Sequence, residues 1–168
     1  MMFAQGVISH DDLLERFRLE YNKNKDFVRY SIYHMVRSDV VDDLVQDTFV
    51  KAWKNYKKFK YDCSFKTWIY RIAMNTTYDY FRKHKHITQE GIENEYKDDD
   101  DFKDLVTKGL MRLTIKQREV FILYYKLGYT MIEIANLLNV SEGTVKSRIH
   151  YAKNEFVIFL KDNGVHYE

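Results

Sequence analysis

Not one residue in this chain is proline, against roughly 5% in an average protein. Proline breaks helix interiors more firmly than any other residue, because it lacks the N–H and its ring clashes with the preceding turn. Glycine, the next breaker, occurs only 6 times in 168 residues. A chain so short of breakers can be helical almost throughout, and its apolar pattern fits that. Leu13, Leu14, Phe17 and Tyr21 recur at three- and four-residue steps, behind Ser9 as an N-cap with Asp11 and Asp12 in the first turn. Phe27, Val28, Ser31, Ile32 and Met35 form a second stripe. No period-two segment of useful length interrupts. The expected class is all-α.

The next helix is the clearest. From Val41, Leu44, Val45, Thr48, Phe49, Ala52, Trp53 and Tyr56 make an apolar stripe over four turns. Its solvent side begins acidic (Asp42, Asp43, Asp47) and ends basic (Lys51, Lys54, Lys57, Lys58), the order that complements the helix dipole. A loop rich in Lys and Tyr follows, to about Cys63. Ser64 then caps a helix reaching about Lys83, with Phe65, Trp68, Ile69, Ile72, Ala73, Thr76 and Tyr80 on the expected buried side. Arg71, Asn75, Tyr78 and Arg82 share the opposite face. Two guanidinium groups, an amide and a phenol can hold phosphates, read a base edge and stack on a base. An ordinary solvated helix face accounts for the same spacing.

Charge divides the chain. Residues 1–86 carry 16 Lys and Arg against 11 Asp and Glu, residues 87–104 carry 2 against 8, and residues 105–168 carry 9 against 6. Two basic blocks therefore flank an acidic one that contains Gly91 and the run Asp98 to Asp101. We read two small helical domains, 1–86 and 105–168, joined by a flexible acidic linker, 87–104. No apolar run reaches the roughly 18–20 residues a spanning helix needs. Met1 to His10 lacks the pattern of a secretory signal. The single cysteine, Cys63, rules out an internal disulfide or CxxC site. A reducing cytoplasm and no cofactor are the expectation.

The C-terminal block resumes helix. Phe102, Leu105, Val106, Gly109, Leu110 and Leu113 line one stripe. Thr114 with Gln117, and Thr130 with Glu133, are capping boxes. The helix after Thr114 should run to Leu127, with Gly128 closing it. A short helix with Ile134, Ala135, Leu137 and Leu138 follows Thr130. Asn139 suits a left-handed turn. Ser141 caps a last helix with Val145, Ile149, Ala152, Phe156 and Leu160 inward. Short helix, tight turn and polar-fronted helix make the helix-turn-helix pattern. Ser141, Glu142, Thr144, Lys146, Ser147 and Arg148 would then face a major groove. A plain helical hairpin shares these signals.

These residues resemble a known family. Asp39 to Trp53 (DVVDDLVQDTFVKAW) resembles the core-polymerase-binding segment of bacterial sigma factors. Ser64 to Asn75 (SFKTWIYRIAMN) resembles their promoter-melting segment. Gln117 to Phe121 (QREVF), Ile134-Ala135 and Ser141 to Arg148 (SEGTVKSR) resemble their C-terminal DNA-binding domain. Length and layout are similar to the extracytoplasmic-function group of the sigma-70 family. Thr114 stands where members often have proline, and Asn139 where glycine is common; both serve the same local geometry.

The resemblance implies a non-enzymatic subunit that binds core RNA polymerase, directs it to promoter DNA and assists melting. It assigns Asp43, Leu44, Gln46, Asp47 and Phe49 to core polymerase, although the stripe also places Phe49 in the core. It assigns Arg71, Asn75, Tyr78 and Arg82 to the minus-10 strand. It assigns Ser141, Glu142, Thr144, Lys146, Ser147 and Arg148 to the minus-35 duplex. An anti-sigma factor is the implied inhibitor, and the acidic linker would thread toward the polymerase cleft. Two other readings compete. A conventional helix-turn-helix regulator would bind duplex DNA without polymerase. A metal-dependent DNA-processing enzyme would use the aspartate run, but no nucleophile–base pair accompanies it. Cys63 reads as a plain loop residue, and His84 and His86 as solvated or phosphate-facing.

Overall fold

The computed structural model describes residues 8–84 and 101–165. Every regular element among them is helical: α1 (His10–Val36), α2 (Val41–Asn55), α3 (Phe65–Lys83), α4 (Asp101–Arg112), α5 (Ile115–Phe121), α6 (Met131–Leu138) and α7 (Glu142–Asp162). The two stripes before Val36 belong to one helix. Helix α4 begins at Asp101, inside the segment read as linker; 87–100 of that segment lie outside the described residues, as does His86.

Local chemistry sets the helix ends. Ser9, Ser64 and Ser141 each accept the main-chain N–H three residues on, at 3.1 Å. Thr114–Gln117 and Thr130–Glu133 are reciprocal capping boxes. Each cap satisfies N–H groups that the helix itself leaves bare. Arg37 (φ 52°) and Asn139 (φ 54°) end α1 and α6 in the left-handed conformation. The helix from Thr114 departs from its expected course. It widens into a π turn over Ile122–Lys126, where the Leu127 N–H donates five residues back to Ile122 at 3.0 Å. Gly128 (φ 71°) then closes the segment.

Helices α1, α2 and α3 pack as a bundle. Val28, Ile32, Ala52, Ile69 and Ala73 are fully buried at its centre. Each large aliphatic side chain taken from water contributes about 1.5–3 kcal/mol. Thr48 and Thr77 are buried beside them, and each hydroxyl donates to the carbonyl four residues back, at 2.7 and 2.9 Å. An aromatic group of Phe17, Tyr56, Phe59, Phe65 and Trp68 fixes the 56–64 connection, with Phe59 stacked on Trp68 at 4.7 Å. Helices α4 to α7 form the second bundle. A Cβ at Gly109 would come within 2.8 Å of the Phe156 and Phe159 rings, so α4 lies hard against α7 there.

The apolar core runs without a break from the first bundle into α5, α6 and α7. Arg118 is a main tie. It is 6% exposed, and its guanidinium donates to the carbonyls of Leu110, Met111 and Leu113 and across to Met35 in α1, at 2.6–3.2 Å. Burial pulls its pKa down to about 10, which still leaves it charged at neutral pH. Arg37 donates to Thr107 along the same join.

Candidate nucleic-acid interface

Three surfaces carry the residues singled out by sequence. On α2, Asp43, Gln46 and Asp47 are exposed. Leu44 and Phe49 are 6% and 7% exposed and belong to the core. Their burial follows from the stripe they share with Val41, Thr48 and Ala52. An apolar groove of about 460 Å3, walled by Phe17, Tyr21, Val45, Phe49, Val50 and Trp53, opens beside Asp42 and Gln46.

On α7, Ser141, Glu142, Lys146 and Ser147 are exposed, while Thr144 and Arg148 are half-buried. Ser141 is engaged in capping, so its hydroxyl is positioned by Thr144 at 2.8 Å. Asn139 turns the chain in the left-handed conformation and Ala135 is buried, as a helix-turn-helix requires of its turn and its first helix.

The α3 face is less open than its spacing suggests. Asn75 and Arg82 are exposed, and Arg82 pairs with Asp79 on its own helix. Arg71, although exposed, donates across to the second domain, to the carbonyls of Leu137 at 3.0 Å and Asn136 at 2.8 Å. Tyr78 is half-buried and donates its phenol O–H to Glu119 of α5. Tyr70 donates to the other oxygen of the same carboxylate, at 3.1 Å. Burial and the Glu119 charge push both tyrosine pKa values well up, so both phenols remain donors. Burial likewise pushes the Glu119 carboxyl up, against the pull of Tyr78, Tyr70, Arg148 and Lys116. A cavity of about 420 Å3 opens along this seam, with Asn75 and Met74 on one wall and Lys116 and Arg148 on the other.

Sequence reasoning missed Glu119, Arg118, Tyr70 and Met74. A second stripe on α3 was there to be read: Tyr70, Met74, Thr77 and Phe81 recur at steps of four, three and four, and all four are buried. Among the described residues, no three His, Cys, Asp or Glu side chains group as a metal site would need. No described helix is long and apolar enough to cross a membrane.

Two helical bundles, the second holding a helix-turn-helix, define a two-domain protein of the DNA-binding class. Comparison with known proteins narrows this. Residues 21–87 match Sigma-70 region 2, and residues 103–155 match Sigma-70, region 4. The chain is 32% identical to the ECF RNA polymerase sigma factor SigM of Mycobacterium tuberculosis over 69% of its own length and 62% of that relative. It is 29% identical to SigW of Bacillus subtilis, also an ECF RNA polymerase sigma factor, over 82% of this chain and 85% of the other. Among solved structures, the sigma factor RpoE of Bartonella quintana, in complex with the anti-sigma factor NepR, superposes with a TM-score of 0.70 at 28% identity. That match covers 88% of this chain and 98% of the other. The chain belongs to the sigma-70 family, in its extracytoplasmic-function group.

Proposed function

We propose that this protein is a promoter-specificity subunit of bacterial RNA polymerase, acting in the cytoplasm. The observation that carries the reading is the presence of region 2 and region 4, in that order, on one chain. Region 2 supplies the α2 surface, where Asp42 and Gln46 line an apolar groove and Asp43 and Asp47 lie exposed on the same helix. That mixture of carboxylates, an amide and apolar walls suits a partner helix from core polymerase. Phe49 and Leu44 support this surface from beneath.

Helix α3 would hold the non-template strand of the minus-10 element through Arg71, Asn75, Tyr78 and Arg82. Unpaired bases expose their faces and Watson–Crick edges, and a basic, aromatic helix gains contact only once they do. Strand opening is thereby driven by binding alone, and no chemistry is asked of the chain. Helix α7 would read the minus-35 duplex with Ser141, Glu142, Thr144, Lys146, Ser147 and Arg148. An anti-sigma factor is a fitting inhibitor, as the Bartonella relative's complex illustrates.

Multi-round transcription with purified bacterial core polymerase on genomic fragments tests the proposal. Discrete transcripts that need this protein are the expected result. Their absence, together with sequence-specific duplex binding by the protein alone, would replace the reading with a conventional regulator.

A further inference from the structure

We infer that Lys51 of α2 and Arg82 of α3 form a two-cation cradle for one phosphate of the opened strand, with Asp79 as its resident countercharge. The inference rests on the reading of α3 given above and adds Lys51, Thr76 and Asp79 to it. Asp79 is the centre of the arrangement. One of its carboxylate oxygens accepts from the Arg82 guanidinium, and the other lies 3.9 Å from the Lys51 ammonium. A second contact aims that ammonium, which donates to the Thr76 hydroxyl at 3.1 Å. Thr76 is 3% exposed, and its own hydroxyl donates to the Ile72 carbonyl at 2.9 Å, so this acceptor is fixed to the α3 backbone. Lys51 therefore reaches across from α2 and places its charge at the α3 surface.

The position of the cradle identifies its ligand. Asn75, Asp79 and Arg82 recur at steps of four and three, so they share a face of α3. Asn75 and Arg82 are both exposed on it. Asp79 lies one turn beyond Asn75, about 6 Å along the helix axis. One nucleotide spans that gap, so a base that meets the Asn75 amide brings its own phosphate to the cradle. A phosphate suits two cations gathered by a single acid, because it offers each an oxygen as the Asp79 carboxylate does. The exchange is easy. The Lys51, Asp79 and Arg82 side chains are 46%, 41% and 73% exposed, and ion pairs so exposed hold weakly. Until then Asp79 cancels one of the two positive charges, which limits the pull on phosphates that arrive without a base for Asn75. Lys51 also continues the exposed stripe of Asp43 and Asp47, at steps of four. The helix proposed to dock on polymerase through its acidic end thus meets the strand at its basic end.

The experiment uses holoenzyme assembled from the full chain and purified core polymerase. The probe is a fluorescein-labelled fork made from a promoter fragment that this protein transcribes. It is duplex over the minus-35 element, with the non-template strand single through the minus-10 element. Lys51→Met keeps most of the side-chain length and removes the charge. Affinity should fall about fivefold, and the log–log salt slope should become shallower by about 0.7, the share of one single-strand phosphate. Lys51→Arg should restore both. Asp79→Asn removes the countercharge and should raise affinity about twofold. Lys23→Met, at an exposed lysine of α1, controls for the lost positive charge. A second series replaces single non-template phosphates with neutral methylphosphonates. Neutralising the phosphate that sits in the cradle should weaken the wild type about fivefold and Lys51→Met less than about twofold. Asn75→Ala checks α3 itself. If Asn75→Ala weakens binding while Lys51→Met matches the Lys23→Met control, the cradle is overturned and the α3 reading stands. If neither variant weakens binding, the α3 reading falls and the cradle with it. If Lys51→Met impairs assembly with core polymerase in gel filtration, yet leaves the strand affinity of assembled holoenzyme unchanged, Lys51 serves an acidic surface of polymerase and the cradle is overturned. Lowered affinity in Asp79→Asn would overturn the countercharge.

Discussion

Tyr78 of α3 donates its phenol to the Glu119 carboxylate of α5, 41 positions along the chain, so a residue expected to meet DNA meets the second domain instead. This pair ties α3 to region 4. Glu119 is faced by Tyr70 and Tyr78 from α3, by Arg148 from α7 and by Lys116 on its own helix. Desolvation dominates and raises its pKa. A raised carboxyl pKa where the two regions pack together means that closure of this contact takes up a proton. Closure should therefore tighten as pH falls from that raised value toward the ordinary carboxyl range, and this gain is lost as pH rises back through the raised value. Scattering measured across this range should show the trend in the wild type, and Glu119→Gln should lose it.

Arg118→Met keeps side-chain volume but strips four carbonyls of their donor. Each buried acceptor left unsatisfied costs about 1–3 kcal/mol. A total loss of at least about 3 kcal/mol is expected, with a fall in Tm of roughly 6–12 °C. Calorimetry decides. An unchanged midpoint would mean that these carbonyls find other partners.

Leu44→Ala and Phe49→Ala should each lower stability by about 2–5 kcal/mol, as truncations of buried side chains do. Gln46→Ala and Asp47→Ala, on the exposed side, should leave stability within about 0.5 kcal/mol and weaken binding to core polymerase. Urea denaturation beside a polymerase pull-down separates the two effects. Normal polymerase binding by both surface variants would remove α2 as the docking surface.

If α3 holds the opened strand as proposed, Asn75→Ala should impair promoter opening more than closed-complex formation, because the amide would meet a base edge only after strand separation. Arg148→Ala should do the reverse and weaken minus-35 capture, by about 1–3 kcal/mol if it reads a base. Permanganate footprinting reports opening, and gel-shift titration of the holoenzyme reports capture. Equal losses of both in each variant would count against this division.

His34 is buried against Tyr30, and its Nδ1 has no hydrogen-bond partner among the described residues. Burial, helped by Lys126 and Arg37, lowers its pKa to about 3. Above pH 6.5 it is neutral in both folded and unfolded chains and has no effect on pH dependence. Below that the unfolded chain takes up the proton first. Stability should fall by up to about 1.4 kcal/mol per pH unit over the window from 6.5 down to about 3. In His34→Gln this component should vanish from the pH–stability curve, and an unaltered slope would show that the imidazole titrates freely.

The sequence alone determined the helices, their caps, the helix-turn-helix and the family. These rest on interactions within four residues: Ser64 reaching the Thr67 N–H, Thr130 and Glu133 satisfying each other, Asn139 tolerating the left-handed turn. A local hydrogen bond is written in local spacing, and so is a 3.6-residue apolar stripe. Tertiary structure decided which polar residues face solvent. Arg71, Asn75, Tyr78 and Arg82 look equivalent on a helical wheel, yet Arg71 and Tyr78 are held by partners 41 to 66 positions away while Asn75 stays open. The stripe of Tyr70, Met74, Thr77 and Phe81 has helical spacing too. Two polar-tipped residues among its four let it pass for surface until a second domain supplied Glu119 and Arg118 to meet it. Burial depends on what packs against a face, and the linear sequence does not state that distance.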